Sequence, residues 1–180
     1  MIEIIPFSEE HREGVVNVIL PIQQSEFGIA ITLEEQPDLL DIPHFYQRRK
    51  GNFWVALMES EVVGTISLLD IGNGQGALRK MFVKEPFRGQ RHRVACRLLD
   101  VLRQWCLAKG VRQVYLGTTG EFLAGHRFYE KNGFTEIPKS ALPSAFPVMS
   151  VDTRFYKSTI SDGVAQQGAP SSGVMPNNLK

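Results

Sequence analysis

"ALRKMFVKEPFRGQRHRVACRLLDVLRQWCLAKGVRQVYLGTT", residues 77–119, decides the fold. Residues 77–85 read as a strand. Apolar residues at 94, 95, 98, 101, 102, 105 and 106 then form a wide stripe at helical spacing, and Gly110 sits where a helix C′ residue belongs. A second strand is expected over 111–119. Strand, helix, strand on this scale needs a crossover that leaves the two strands parallel or splayed. Between the first strand and the helix, "FRGQRHRV" (87–94) crowds Arg88, Arg91, His92 and Arg93 against a helix N-terminus. That end already carries roughly half a positive charge, so each added cation costs about 0.3–1 kcal/mol. The arrangement becomes favourable once a multiply charged phosphate sits there, held by outward backbone N–H groups and guanidinium side chains. Gly89 gives the loop room to turn. The rival account of such a cluster is a solvated surface patch.

Working outward, "IEIIPF" (2–7) reads as a short strand ending near Pro6. Ser8 caps a helix with Glu9 and Glu10 in its first turn, Val15, Val18, Ile19 and Ile22 on its apolar face, and Pro21 at its end. Thr32 and Glu35 fit a capping box, and Pro37 and Pro43 divide 32–50 into two short helical pieces. Segment 23–50 is expected to be an adaptable cover. "NFWVALMES" (52–60) and "EVVGTISLLD" (61–70) form an antiparallel hairpin, and the glycine-rich turn 71–76 adds the strand at 77 as a third member of a meander. "FLAGHRFYEKNGF" (122–134) is a second amphipathic helix stopped by Asn132-Gly133, and "FTEI" (134–137) starts another strand. "PVMSVDTRFYK" (147–157), with Met149, Val151 and Phe155 on one face, reads as a sheet-edge strand. A single mixed α/β domain is expected over 1–158, followed by a disordered tail, 159–180, rich in Gly, Ser, Pro and Asn.

The 180 residues are enough to bury one core, and a net charge of +1 argues against a protein that coats DNA or an anionic membrane. No apolar stretch approaches the roughly 20 residues of a membrane span. The first ten residues hold Glu3 and no basic leader, so no secretory signal and a cytoplasmic location are expected. Cys96 and Cys106 lie ten residues apart in one helix. That separates them by about 15 Å, too far for a mutual disulfide. With no CxxC and no histidine at ligand spacing, no metal site is expected.

Residues 81–134, "MFVKEPFRGQRHRVACRLLDVLRQWCLAKGVRQVYLGTTGEFLAGHRFYEKNGF", resemble the core of the GNAT superfamily of acetyl-CoA-dependent N-acetyltransferases. The element order from 2 to 157 is similar to that fold. The family's loop reads Gln/Arg-x-x-Gly-x-Gly/Ala; Arg88 matches its first position, while Arg91 and Arg93 stand where the two small residues would be. "FYEKNGF" (128–134) after "YLGTT" is close to the family's second signature. The resemblance implies a sheet of about seven strands, mixed and mostly antiparallel, splayed at the cofactor site and flanked by about four helices. It also implies acetyl-CoA as co-substrate and no metal.

On the same resemblance, backbone groups of Met81, Phe82 and Val83 hold the pantetheine arm, with the Phe82 N–H stabilising the oxyanion. Arg88, Gly89, Gln90, Arg91, His92 and Arg93, with Val94 and Ala95 in the first helical turn, take the pyrophosphate. His126 and Phe128 lie along the arm, and Tyr129 donates a proton to the departing thiolate. Many relatives carry a basic carboxylate on the strand "ALRKMFV", which has none here; Asp70, Glu26 and Glu121 are conceivable substitutes, and no base is assigned. An acceptor pocket is expected between 23–50 and 138–147, with His44, Phe27, Phe45, Tyr46 and Trp54 as wall candidates that fit core packing equally well. Arg91 and Arg93 either obstruct the loop or contact phosphate. The leading functional class is an N-acetyltransferase acting on a primary amine of a small molecule or peptide by direct attack in a ternary complex. The alternative is a catalytically silent coenzyme A-binding or regulatory module. A nucleic-acid-binding domain is a weaker third, lacking a second basic patch, and a homodimer stays open.

Overall fold

The computed structural model describes residues 1–120 and 122–161. The expected tail lies, beyond residue 161, outside the described residues, as does Glu121. Seven strands form one sheet: β1 (Ile2–Pro6), β2 (Asn52–Met58), β3 (Glu61–Gly72), β4 (Gln75–Val83), β5 (Gln113–Thr118), β6 (Thr135–Ile137) and β7 (Arg154–Thr159), in the order β1-β2-β3-β4-β5-β7-β6. β4 and β5 run parallel, and the other pairings are antiparallel. Among the described residues five α-helices accompany them: α1 (Arg12–Pro21), which runs on as a π-helical turn over Ile22–Glu26, α2 (Pro37–Leu40), α3 (Ile42–Phe45), α4 (Val94–Lys109) and α5 (Leu123–Lys131).

Strand alternation sorts the core onto the two faces of this sheet. Trp54, Ala56, Val63, Met81 and Val83 pack with Leu98 and Leu102 of α4 and Phe128 and Tyr129 of α5. Phe53, Val55, Val62 and Phe82 face the other way, toward Val15, Val18 and Ile19 of α1 and Leu39 and Ile42 of the short helices. α4 buries Val94, Ala95, Leu98, Leu99, Leu102 and Cys106, much as its stripe requires, and each buried leucine contributes about 1.5–3 kcal/mol. Gly110 ends it in the left-handed conformation, φ 74°. α1 stops at Pro21, and α2 and α3 are the two short pieces, each with a proline in its first turn.

One strand departs from expectation. β7 starts at Arg154 rather than 147, and it lies inside the sheet between β5 and β6, not at an edge. The alternation at Met149, Val151 and Phe155 is real, but Asp152 intercepts it: its carboxylate accepts the Met149 N–H at 2.9 Å, closing a local turn. Segment 147–153 is therefore irregular and leans over the sheet.

Candidate active site

The parallel pairing of β4 with β5 covers only Gln75–Ala77 against Gln113–Tyr115. Past that point the two strands part, so residues 78–83 of β4 border a cleft instead of a strand. Lys84 N–H donates to Val63 C=O at 2.9 Å, which fixes the alternation along this end of β4. Phe82 is then paired toward Thr65 on β3, while the Val83 carbonyl points away and accepts Arg88 Nε at 2.8 Å. The oxyanion role expected of the Phe82 N–H is thus geometrically unavailable, because that group belongs to the β3 ladder.

A β-bulge interrupts β4 between its pairings with Thr65 and Ser67, and Lys80 sits there in the left-handed region with φ 51°. Such a conformation costs a side-chain-bearing residue on the order of 1–3 kcal/mol. Two hydroxyls from β3 stabilise it: Thr65 Oγ1 donates to the Lys80 carbonyl and Ser67 Oγ to the Arg79 carbonyl, both at 2.7 Å. Thr65→Val keeps the shape and strands the buried carbonyl. It should cost about 1–3 kcal/mol in a denaturant melt, and an unchanged midpoint would show that the bulge holds itself.

The bulge turns Arg79 and Lys80 into a cavity of about 320 Å³ beneath segment 23–45. Gln23, Gln36, Asp38, Phe45 and Met149 are among its walls. Lys80 is 2% exposed; its ammonium donates to Gln36 Oε1 at 2.9 Å and stands 3.5 Å from Asp38. Tyr46 donates its hydroxyl to the same carboxylate at 2.5 Å. Burial pushes the Lys80 pKa down from 10.5 to about 8; Asp38 opposes the shift and Arg79 adds to it. Burial likewise holds the Tyr46 phenol well above its usual 10. Gln36 and Gln23 exchange reciprocal amide hydrogen bonds at 2.9 Å, tying the cover to itself.

Segment 88–95 forms the expected loop and helix start, with Gly89 at φ 97°. Arg88 is not aimed at the helix end: it makes a bidentate pair with Glu26 at 2.6 and 2.8 Å, linking the loop to the cover. His92 packs on Phe87, their rings 5.5 Å apart. Arg91 and Arg93 are exposed, and among the described residues neither makes an ion pair within 4 Å. The α4 N-terminus has no side-chain cap. Arg93, its N-cap residue, has φ 50°, which gives a physical reason for the small residue in the family pattern: the position favours glycine for conformational reasons, and arginine is strained there. Arg93→Gly should raise stability by about 1 kcal/mol, whereas Arg91→Gly, outside the left-handed region, should not. Equal melting midpoints for the two variants would refute the strain.

On α5, Tyr129 is fully buried, its hydroxyl 3.5 Å from Met81 Sδ at the edge of the cleft. Burial holds that phenol well above 10. Phe128 packs edge-on against it at 5.6 Å. His126 is committed at both nitrogens. Arg154 can only donate, so His126 Nδ1 accepts from it at 2.7 Å, and Nε2 then carries the proton given to the Thr119 carbonyl at 2.7 Å. The ring braces α5 against β7.

Other expected residues lie elsewhere. His44 is exposed and bonds Asp41 in its own turn, and Trp54 packs against Trp105 on the α4 face, so neither walls the cavity. Phe27 meets Phe122 edge-on at 4.2 Å, across from α5. Asp70 accepts backbone N–H groups of Lys50 and Gly72, and Glu26 is held by Arg88. The far wall comes from Met149, Ser150 and Val151 rather than 138–147. The Asp38–Lys80–Gln36 network has no counterpart among the residues expected from sequence. Its signal was two cations, Arg79-Lys80, inside an otherwise apolar strand destined for the sheet interior. Both cysteines are free, Cys106 buried with its thiol pushed up to about 12 and Cys96 half-buried. Among the described residues no three His, Cys, Asp or Glu side chains converge as a metal site would need, and no helix is long and apolar enough to cross a membrane.

A family model described as "Acetyltransferase (GNAT) family" matches residues 17–134. An acetyltransferase of GNAT family from Staphylococcus aureus Mu50 superposes with a TM-score of 0.84 at 38% identity, covering 89% of this chain and all of that one. PaiA N-acetyltransferase from Thermoplasma acidophilum, in complex with coenzyme A, gives a TM-score of 0.66 at 18% identity over 88% of this chain and 99% of that one, a likeness of fold alone. N-acetylaspartate synthetase of Xenopus tropicalis is 32% identical over 104 residues, 56% of this chain. The match spans only 37% of that relative's length.

Proposed function

Since the chain belongs to the GNAT acetyltransferase family, we propose that it moves an acetyl group from acetyl-CoA to a primary amine by direct attack within a ternary complex. The observation that carries this reading is the opening where β4 and β5 stop pairing, together with an uncapped α4 N-terminus beside Arg91 and Arg93, neither of which makes an ion pair within 4 Å among the described residues. An amide-rich arm fits against β4 as an added strand would, and a pyrophosphate suits the α4 amides with Arg91 and Arg93 beside them. Acetyl-CoA supplies the thioester.

The chain supplies position and proton control. With Phe82 committed to β3, the amide we assign to the developing oxyanion is that of Met81, next after the bulge. Tyr129 stays protonated at neutral pH, and we assign it, beside Met81, the protonation of the departing sulfur; its burial and its contact with Met81 Sδ support that role. Arg88 acts indirectly, joining the phosphate loop to the cover through Glu26. The acceptor enters the cavity beneath segment 23–45. Cys106 is buried and its thiol strongly protonated, which disfavours an acetyl-cysteine route.

Calorimetry with acetyl-CoA, paired with thiol release over a panel of amines, tests the reading. Micromolar binding, weakened about tenfold or more in an Arg91→Gly/Arg93→Gly double variant, is expected together with turnover. Binding without turnover on any amine would favour the silent coenzyme A module. Absence of binding would overturn both.

A further inference from the structure

Arg79 is 7% exposed and lines the cavity, yet its Nε has no hydrogen-bond partner. Among the described residues its one polar contact is a weak one, from Nη2 to Met149 Sδ at 3.8 Å. Among the described residues no carboxylate lies within 4 Å of its guanidinium. A buried, uncompensated cation is costly, and arginine cannot escape by releasing its proton, as lysine can. The neighbouring cation is already compensated: Lys80 has Asp38 and the Gln36 carbonyl oxygen. Asp38 is in turn engaged at Oδ2 by both Lys80 and the Tyr46 hydroxyl, and it lies more than 4 Å from the Arg79 guanidinium. Glu35 also lines the cavity, but it is exposed and bonded to Thr32. Among the described residues the cavity thus holds one guanidinium with no carboxylate beside it.

The guanidinium is also oriented. The Phe45 and Tyr46 rings lie 5.7 and 5.9 Å from its carbon, so aromatic faces hold it in place. A planar fork fixed in this way matches a carboxylate, and a single uncompensated cation suits one charge better than the two of a phosphate monoester. Arg79 precedes Met81 by two residues on β4, with the bulged Lys80 between them, so their Cα atoms stand at most about 7 Å apart. The anchoring charge and the reacting end of the cleft are therefore one small molecule apart.

We propose that the acceptor bears a carboxylate a few bonds from its amine, and that Arg79 binds this carboxylate in the cavity beneath segment 23–45. The acceptor class is a free amino acid, and Arg79 is its specificity-determining residue. The inference rests on the acetyltransferase reading for the identity of the cavity, but its anion site can be tested separately.

Two measurements on the full chain do so. The first is thiol release from acetyl-CoA with free L-amino acids, each compared with its own carboxamide. At least one amino acid should exceed its carboxamide by about tenfold or more in kcat/KM, the loss falling mainly on KM. Arg79→Gln should erase that preference while acetyl-CoA affinity, read by calorimetry, stays unchanged; Arg79→Lys, which keeps the charge but not the fork, should restore part of it. The second is thermal stabilisation by N-acetyl amino acids against their amides, with and without coenzyme A. Carboxylates that stabilise wild type but not Arg79→Gln support the site even if coenzyme A fails to bind, in which case the transferase reading alone falls. Turnover that is equal or better on carboxamides overturns the proposal, as does the absence of any carboxylate-dependent stabilisation or turnover.

Discussion

Tyr129→Phe is expected to lower kcat for acetyl transfer by about 10²–10⁴-fold, the range for loss of a positioned general acid. Acetyl-CoA affinity should be unchanged, because the hydroxyl adds nothing to the arm's backbone contacts. The variant should also fold: the ring packs with Phe128, Phe134 and Tyr156, and among the described residues the lost hydroxyl meets only the Met81 sulfur, at 3.5 Å. Burial keeps the phenol protonated well above pH 10, so this group should impose no loss of activity as pH rises from 7 to 9. A kcat within a factor of three of wild type would remove Tyr129 from the mechanism and leave it a core aromatic.

Asp38→Asn should be the most destabilising of the single changes considered, by about 3–5 kcal/mol at pH 7, because it leaves a buried ammonium without its carboxylate. The pH dependence has a definite sign. Lys80 has a folded pKa of about 8 against 10.5 for the free side chain, so the folded protein disfavours the charged form. That penalty, about 3 kcal/mol, is fully present below pH 8. It fades between pH 8 and 10.5, where the unfolded chain still binds the proton and the folded one does not. Removing Asp38 takes away the attraction that holds the folded pKa up, so Lys80 discharges at lower pH in the variant. The gap between wild type and Asp38→Asn should therefore narrow from pH 7 to pH 9 in denaturant melts. A gap that stays constant or widens would mean that the pair does not carry the stability assigned to it.

Local patterns made much of the fold legible. The stripe of α4, the glycine that ends it, the prolines that cut 32–50, and the hairpin turns each act over a few residues and leave marks in composition and spacing. The strand expected at 147–157 is shortened because the aspartate at its centre, Asp152, offers the backbone a local partner, and periodicity does not record such competition. The phosphate loop was readable as a charge anomaly, but Arg88 was not. Nothing in its spacing reveals a partner 62 residues earlier.

The sequence by itself determined the order of elements, the crossover that makes β4 and β5 parallel, and the basic turn before α4, since all follow from short-range propensity and periodicity. The tertiary structure alone decided which polar groups meet in the interior. Asp38, Tyr46, Arg79 and Lys80 come together because a bulge rotates β4 and two one-turn helices cover it. Burial sets the cost of each unpaired charge, and only the folded chain defines what is buried.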